Sequence, residues 1–378
     1  MSPTLNEIAM VFLKLGTVGF GGPAVHIAMM EDEVINRKQW LDRGQFLDLV
    51  GATNLIPGPN STEMALLVGY VTKGYSGLLV AGISFIFPAV LITGILAFIY
   101  QNFSSFPQVN PFLTGIKPVV IAIIFNALWK LGKKAIKTWK LVPIGLLVVG
   151  LVIGGINEII ALLLGGIIGM LWLGSSGNVL LSSAMIFLLS TNTPTPDNPK
   201  LWQLGLFFLK IGSVLFGSGY VLIAFLEGEL VEKYQWLTQQ QLLDAIAIGQ
   251  LTPGPVLSTA TFIGYTILGL PGAIVATVCI FLPSFVIVLL IKPLIPRLRK
   301  SKWTGAFLDA VNVSAVALMG VVIYRLAMVT LNQPWSNLNF NLPGLCLIIL
   351  SGILLIRFKI SSGLLILAGG LLGFFMAA

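Results

Sequence analysis

The chain carries one pattern twice. The segment FLKLGTVGFGG at 12–22 aligns with FLKIGSVLFGS at 208–218, at an offset of 196 and with seven identities in eleven positions. The same register pairs Glu31 with Glu227, Glu33 with Glu229, Trp40 with Trp236 and Asp48 with Asp244. It then brings Pro57, Gly58 and Pro59 onto Pro253, Gly254 and Pro255; one residue is lost beyond that point, and Pro88 matches Pro283. Whatever this chain folds into is therefore built from two copies of one unit. The copies occupy 1–174 and 201–378, and 175–200 links them.

Each copy is too apolar for water. Of the 378 residues, 56% are hydrophobic and only 10% are charged; a lipid bilayer accepts that much apolar surface and a soluble core does not. The expected fold class is an all-α polytopic membrane protein. The net charge is +8, but the basic residues cluster beside apolar spans as topology signals do, so nucleic acid is not the partner. The N-terminus lacks the basic start and cleavage site of a signal peptide, and the first apolar stretch is expected to be retained. Cys279 and Cys346 lie alone in apolar stretches without metal-ligand spacing, and no GxxxxGK[ST] loop occurs. No metal and no cofactor is expected, and any transport of solute would draw on a gradient rather than on an ATPase of the chain's own.

Loop charges set the orientation of the copies. After the span ending near Tyr100 the first copy has the uncharged QNFSSFPQVNP, where the second has Lys292, Arg297, Arg299, Lys300 and Lys302. One span later the order reverses: Lys130, Lys133, Lys134, Lys137 and Lys140 stand against the uncharged LNQPWSNLNFN. Lys and Arg gather on the cytoplasmic side, so equivalent loops face opposite ways and the repeats have inverted topology. Inverted repeats are a recurrent plan of secondary transporters, with the site at the repeat interface near the midplane.

That plan explains why an apolar segment is broken by Pro-Gly-Pro twice. The stretches 45–55 and 60–71 would each be about 16–18 Å long as helices, too short to cross a core of about 30 Å but long enough to reach its middle. Two such pieces make a re-entrant hairpin or a broken helix with a PGP tip; the hairpin is preferred because it leaves five full spans per copy, an odd number that inverts the second. The apolar piece at 179–190 is then too short to cross. Non-helical backbone at such depth is tolerated only inside protein or along a cavity.

A half-helix starting at a tip offers unpartnered N–H groups and the positive end of its dipole, a ready anion site. Asn60, Ser61 and Thr62 add polar groups to the first tip, Ser258 and Thr259 to the second. Taken singly, each tip is equally a turn with a capped helix. Lys14 and Lys210 lie near the middle of the first span of each copy, where a lysine faces a cavity or a partner. Two ammoniums near two helix N-termini suit a dianion. GFGGP at 19–23 and LFGSG at 215–219 permit close helix packing, which is preferred, or a locally unwound backbone. His26 is the only histidine, with Leu222 as its counterpart; a structural role stands beside proton coupling. Glu63, just behind the first tip, is a second proton-coupling candidate. Asp48 and Asp244 either start the hairpin helices or take part in coupling, and Glu31, Asp32, Glu33 and Glu229 are expected to be loop residues, solvated or salt-bridged.

These segments, FLKLGTVGFGGPAVHIAMMEDEVINRKQWLD and PGP followed by ALLVGYVTKGYSGLLVAGISFIFP, resemble the chromate ion transporter family in its long, two-domain form. The resemblance covers all but the 175–200 linker. It implies export of chromate from a bacterial cytoplasm through opposed halves in the plasma membrane, with chromate resistance as the result and sulfate as a related substrate. By motif it carries Gly21, Gly22, Pro23, His26 and Pro57 to Pro59 over as site positions, together with Gly217 and Pro253 to Pro255. Ser218 and Leu222 depart from the first copy, which puts symmetric roles for the halves in doubt. A homodimer is compatible with all of this. Two other functions stay open. An integral-membrane lipid-pyrophosphate phosphatase would need a clustered acid, base and metal set, which one histidine and few carboxylates near the tips do not supply. A passive oxyanion channel shares every feature above except coupling to a gradient.

Overall fold

The computed structural model describes residues 3–103, 109–174, 199–216, 219–291, 301–332 and 341–377. Gly217, Ser218, the 179–190 stretch and most of the linker lie outside the described residues, as do Lys292, Arg297, Arg299 and Lys300. Within them the chain is helical without strands. The first copy holds α1 (Leu5–Val18), α2 (Pro23–Glu31), α3 (Arg43–Thr53), α4 (Asn60–Phe103), α5 (Val109–Ala135), α6 (Val142–Ile153) and α7 (Glu158–Gly174). The second holds α8 (Leu201–Val214), α9 (Leu222–Phe225), α10 (Gln239–Leu251), α11 (Thr259–Ile291), α12 (Lys302–Asn332), α13 (Leu342–Arg357) and α14 (Ser362–Ala377).

Capping fixes where the hairpin helices begin. Asp42 and Gln45 form a reciprocal capping box at the start of α3, and Thr238 and Gln241 form one at α10. Asp48 and Asp244 therefore lie inside their helices, and the expected helix-start role falls to other residues. The first span of each copy is not continuous either. α1 stops at Val18 because Gly21 and Gly22 take φ of +119° and +86°, and α2 restarts on Pro23 at its first turn. The glycine cluster unwinds the backbone instead of packing a helix closely, so the expected full first span is two half-helices. Among the described residues four helices, within α4, α5, α11 and α12, are long and apolar enough to cross a membrane by themselves.

α4 and α11 each reverse direction near their starts. Lys73 and Gly74 have φ of −145° and +64°, and Leu268 and Gly269 repeat the turn at −134° and +63°. Beyond the reversal the long arm runs back along the short one, and a Cβ on Gly69 would meet the carbonyl of Gly77. α3 packs along the start of α4, and α10 along the start of α11. The two arms around each tip thus lie side by side, as a hairpin requires. α1 then packs on α4, α8 on α11, and α4 on α11 at the centre, while α5 with α14 and α7 with α12 form flanking pairs.

Charge contacts place the ends. Lys137, just past α5, meets Asp309 Oδ1 at 2.6 Å near the start of α12. Arg325, toward the other end of α12, bonds Glu227 Oε2 at 3.0 Å and Glu232 Oε1 at 2.7 Å, beside Glu158 at the start of α7. α5 and α12 are equivalent helices of the two copies and pack with opposite direction, as inverted topology demands. One end of the molecule is basic, and the other carries the acidic group.

Candidate anion site at the repeat interface

Each PGP tip is closed by the other copy. The Gly58 N–H donates to the Leu215 carbonyl at 2.6 Å, and the Gly254 N–H donates to the Gly19 carbonyl at 2.8 Å. Leu215 is the counterpart of Gly19 and Gly254 that of Gly58, so one contact is the twofold image of the other. The logic is local. Gly19 and Leu215 end the first half-helices, where carbonyls lose their intrahelical partners, and an unwound tip has amides to give. Each of the four breaks in the helical ladder thereby finds its partner in the other repeat.

The surroundings of the two tips differ. At the first, Glu63 is fully buried and neither carboxyl oxygen has a hydrogen-bond partner; Thr62 Oγ1, Asn60 Oδ1 and Ser284 Oγ are likewise buried without one. A Cβ on Gly58 would strike Glu63 Oε1 and lie 2.8 Å from Ser284 Oγ, so only glycine leaves these groups room. Asn60 Nδ2 reaches Asn54 Oδ1 at 3.1 Å, and Ser61 is buried. At the second tip Thr93 Oγ1 donates to Ser258 Oγ at 3.3 Å, and Thr259 Oγ1 turns back to the Val256 carbonyl at 2.8 Å. Pro253, Gly254 and Pro255 are all buried, whereas Pro57 is half-buried and Asn54 exposed.

His26 has a defined place. Its Nε2–H donates to the Gly19 carbonyl at 2.8 Å, and the ring stands edge-on to Phe85 at 5.4 Å. It therefore braces the same carbonyl that the second tip uses. Leu222 cannot do this, so the break in the second copy is held without it.

Lys14 and Lys210 are not left as bare charges. Lys14 pairs with Glu33 and Lys210 with Glu229, each within its own repeat, and Asn157 Nδ2 adds a bond to Glu229 Oε1 at 3.0 Å. Glu33 and Glu229 are buried in π-helical turns, Asp32–Arg37 and Leu226–Lys233, that continue α2 and α9. Of the two expectations for these carboxylates, salt bridging holds for both, but they lie in helical turns rather than loops, because the wide turn carries them inward to the lysines. Lys14, Glu33, Asp32 and Arg37 line a cavity of 580 Å³ between α1 and α2. Hydrogen bonds from Asn36 and Arg37 hold the Asp32 carboxyl below its usual range.

The two equivalent aspartates also part company. Asp48 is exposed. Asp244 is buried, accepts from Tyr100 OH at 2.9 Å and stands 3.9 Å from Lys117 Nζ. Sequence reasoning passed over Lys117, Tyr100, Ser284 and Thr93. Lys117 had a signal, a lone lysine in FLTGIKPVVIAI, but it has no duplicate to single it out. Glu158, Glu227 and Glu232 are the group of carboxylates among the described residues with metal-like spacing, and the Arg325 guanidinium already bonds two of them.

The Chromate transporter family profile matches residues 6–170 and 202–374. The chain is 33% identical to the chromate transport protein of Cupriavidus metallidurans, over 98% of this chain and 92% of that protein. It is 31% identical to a probable chromate transport protein of Synechococcus elongatus, over 85% and 84% of the two chains. An uncharacterized transporter of Methanocaldococcus jannaschii is 30% identical over 99% and 94%. No solved structure matches. These relatives are transporters rather than enzymes, and the long apolar helices make this a multi-pass protein of the bacterial plasma membrane. With both profile matches falling on the two copies that exchange tips, the chain belongs to the chromate transporter family.

Proposed function

We propose that this protein is a secondary transporter that exports chromate, with sulfate as a related substrate, and so confers chromate resistance. The reciprocal bonding of tip amides to freed carbonyls carries the reading. It sets four helix ends, two of them positive, along the seam between the inverted halves, where an anion can be held inside a bilayer. The polar groups nearest the substrate are Asn60, Ser61 and Thr62 at the first tip, and Ser258 and Thr259 at the second. Gly21 and Gly22 supply unwound backbone in the first copy; Gly217, their partner by motif, lies outside the described residues. Lys14 and Lys210 add charge when an anion draws them from Glu33 and Glu229. Glu63 is the foremost candidate to carry a proton, ahead of His26, Asp48 and Asp244.

Energetics favour the outward direction. A dianion leaving a cell that is negative inside gains about 4.6 kcal/mol per 100 mV. Proteoliposomes with an imposed potential and pH gradient test the proposal with chromate and sulfate as substrates. Saturable flux, or accumulation of chromate beyond the ratio that the imposed potential alone sets, supports it; non-saturable flux that stops at that ratio means a passive channel, and no flux of either anion overturns it.

A further inference from the structure

Beside Lys14 and Lys210, one more lysine lies deep in a helix, and it is bound differently. Lys117 is 2% exposed, and its Nζ has no hydrogen-bond partner. Its counter-charge, Asp244 Oδ1, stands at 3.9 Å, inside ion-pair range but beyond hydrogen-bond reach. An ammonium has three donors. Buried in apolar surroundings, it calls for an anion that supplies both charge and acceptors. Asp244 supplies only the charge, because Tyr100 engages its other oxygen at 2.9 Å. A tetrahedral oxyanion supplies both.

The position fits a route. Lys117 and Tyr100 come from the first copy and Asp244 from the second, so the trio straddles the interface that the tips occupy. Asp244 is seven residues from the last residue of α10, about 10 Å along the axis from the second tip. α10 begins at the acidic end of the molecule, away from the basic loops, so the trio lies on the outward leg. This is also the covered side. Every residue of α10 from Leu242 to Gly249 is buried, whereas α3 buries only Phe46, Ala52 and Thr53. In the repeat register Lys117 faces Asn312 and Asp244 faces the exposed Asp48, so the feature exists once.

We propose that Lys117 is a binding residue for the translocated oxyanion and that its pairing with Asp244 keeps the outward side closed until an anion takes the place of the carboxylate. The proposal rests on the oxyanion-transport reading and names the charged residue that serves it on the exit side.

Chromate flux in proteoliposomes and chromate binding by equilibrium dialysis are measured for wild type, Lys117→Met, Lys117→Arg, Asp244→Asn and the double variant Lys117→Met with Asp244→Asn. Lys117→Met lowers flux and binding about tenfold, the loss expected for a charged hydrogen-bond donor. Lys117→Arg keeps most of both. Asp244→Asn binds chromate more tightly, since the ammonium is no longer engaged, yet transports poorly because the closed side does not re-form. The double variant stays as poor as Lys117→Met. A pair that only holds helices together behaves otherwise, since removing both charges of a buried pair is close to neutral. A double variant restored to wild-type flux, or Asp244→Asn with unchanged binding, overturns the proposal. Thermal unfolding of each variant separates folding loss from binding loss; should Lys117→Met not fold, Lys117→Arg and Asp244→Asn decide. Wild-type vesicles that move no chromate sink the functional reading and this inference with it, whereas a rescued double variant in active vesicles sinks the inference alone.

Discussion

Glu63 and Thr259 both lie about one turn behind their tips, and only one of them is a carboxylic acid. Thr259 closes its own helix by bonding the Val256 carbonyl, while Glu63 is buried with both oxygens unpartnered. A group so placed is either structural dead weight or a site that exchanges a proton. We predict that Glu63→Gln abolishes the response of chromate flux to an imposed pH gradient and retains flux driven by membrane potential. Retention of the pH response in the variant would assign coupling elsewhere.

The tips tolerate no side chain. Gly254 has φ of +87° and Gly58 +141°, and each faces atoms of the other repeat. Gly254→Ala is predicted to lower stability by about 1–3 kcal/mol through backbone strain alone, visible as a reduced midpoint in thermal unfolding, and to stop transport. A folded, active Gly254→Ala protein would mean that the tip contact is dispensable.

His26 separates bracing from chemistry. Replacing it by leucine copies the second repeat and removes one hydrogen bond to the Gly19 carbonyl, worth about 1 kcal/mol. His26→Leu is predicted to keep chromate transport and its pH profile with a modestly lower unfolding temperature. Loss of the pH profile would make the imidazole a proton carrier.

The lysine–glutamate pairs make an opposite-signed test. Lys14 is half exposed on its side chain, so its pair with Glu33 contributes little to stability, under about 1 kcal/mol. Glu33→Gln is predicted to leave folding intact and to lower the half-saturating chromate concentration several-fold, because the ammonium is released toward the cavity it lines. Lys14→Gln raises it. Equal kinetics in both variants would take Lys14 off the anion's route.

Repetition made much of this legible before any coordinates. A duplicated FLK segment and PGP, basic loops alternating with uncharged ones and a mid-span lysine in each copy are enough for two inverted helical repeats with tips at depth. What stayed hidden was pairing. Glu33 and Glu229 sit in loop-like sequence, and only a π-helical turn, which widens the helix by one residue, brings them to Lys14 and Lys210. The unwinding at Gly21 and Gly22 was one of two readings of the same glycines, and positive φ decides between them. Lys117 and Asp244 lie far apart in sequence on different repeats, and no local period reports such a contact.

The crossed bonds from Gly58 to Leu215 and from Gly254 to Gly19 mean that neither half finishes its own backbone. A chain of this kind containing a single unit would carry one stranded amide and one stranded carbonyl into the membrane. It could settle both only by meeting a sibling inserted upside down. Joining two units head to tail in one polypeptide makes that encounter certain, and frees each half to drift from the other in sequence while the seam between them stays the same.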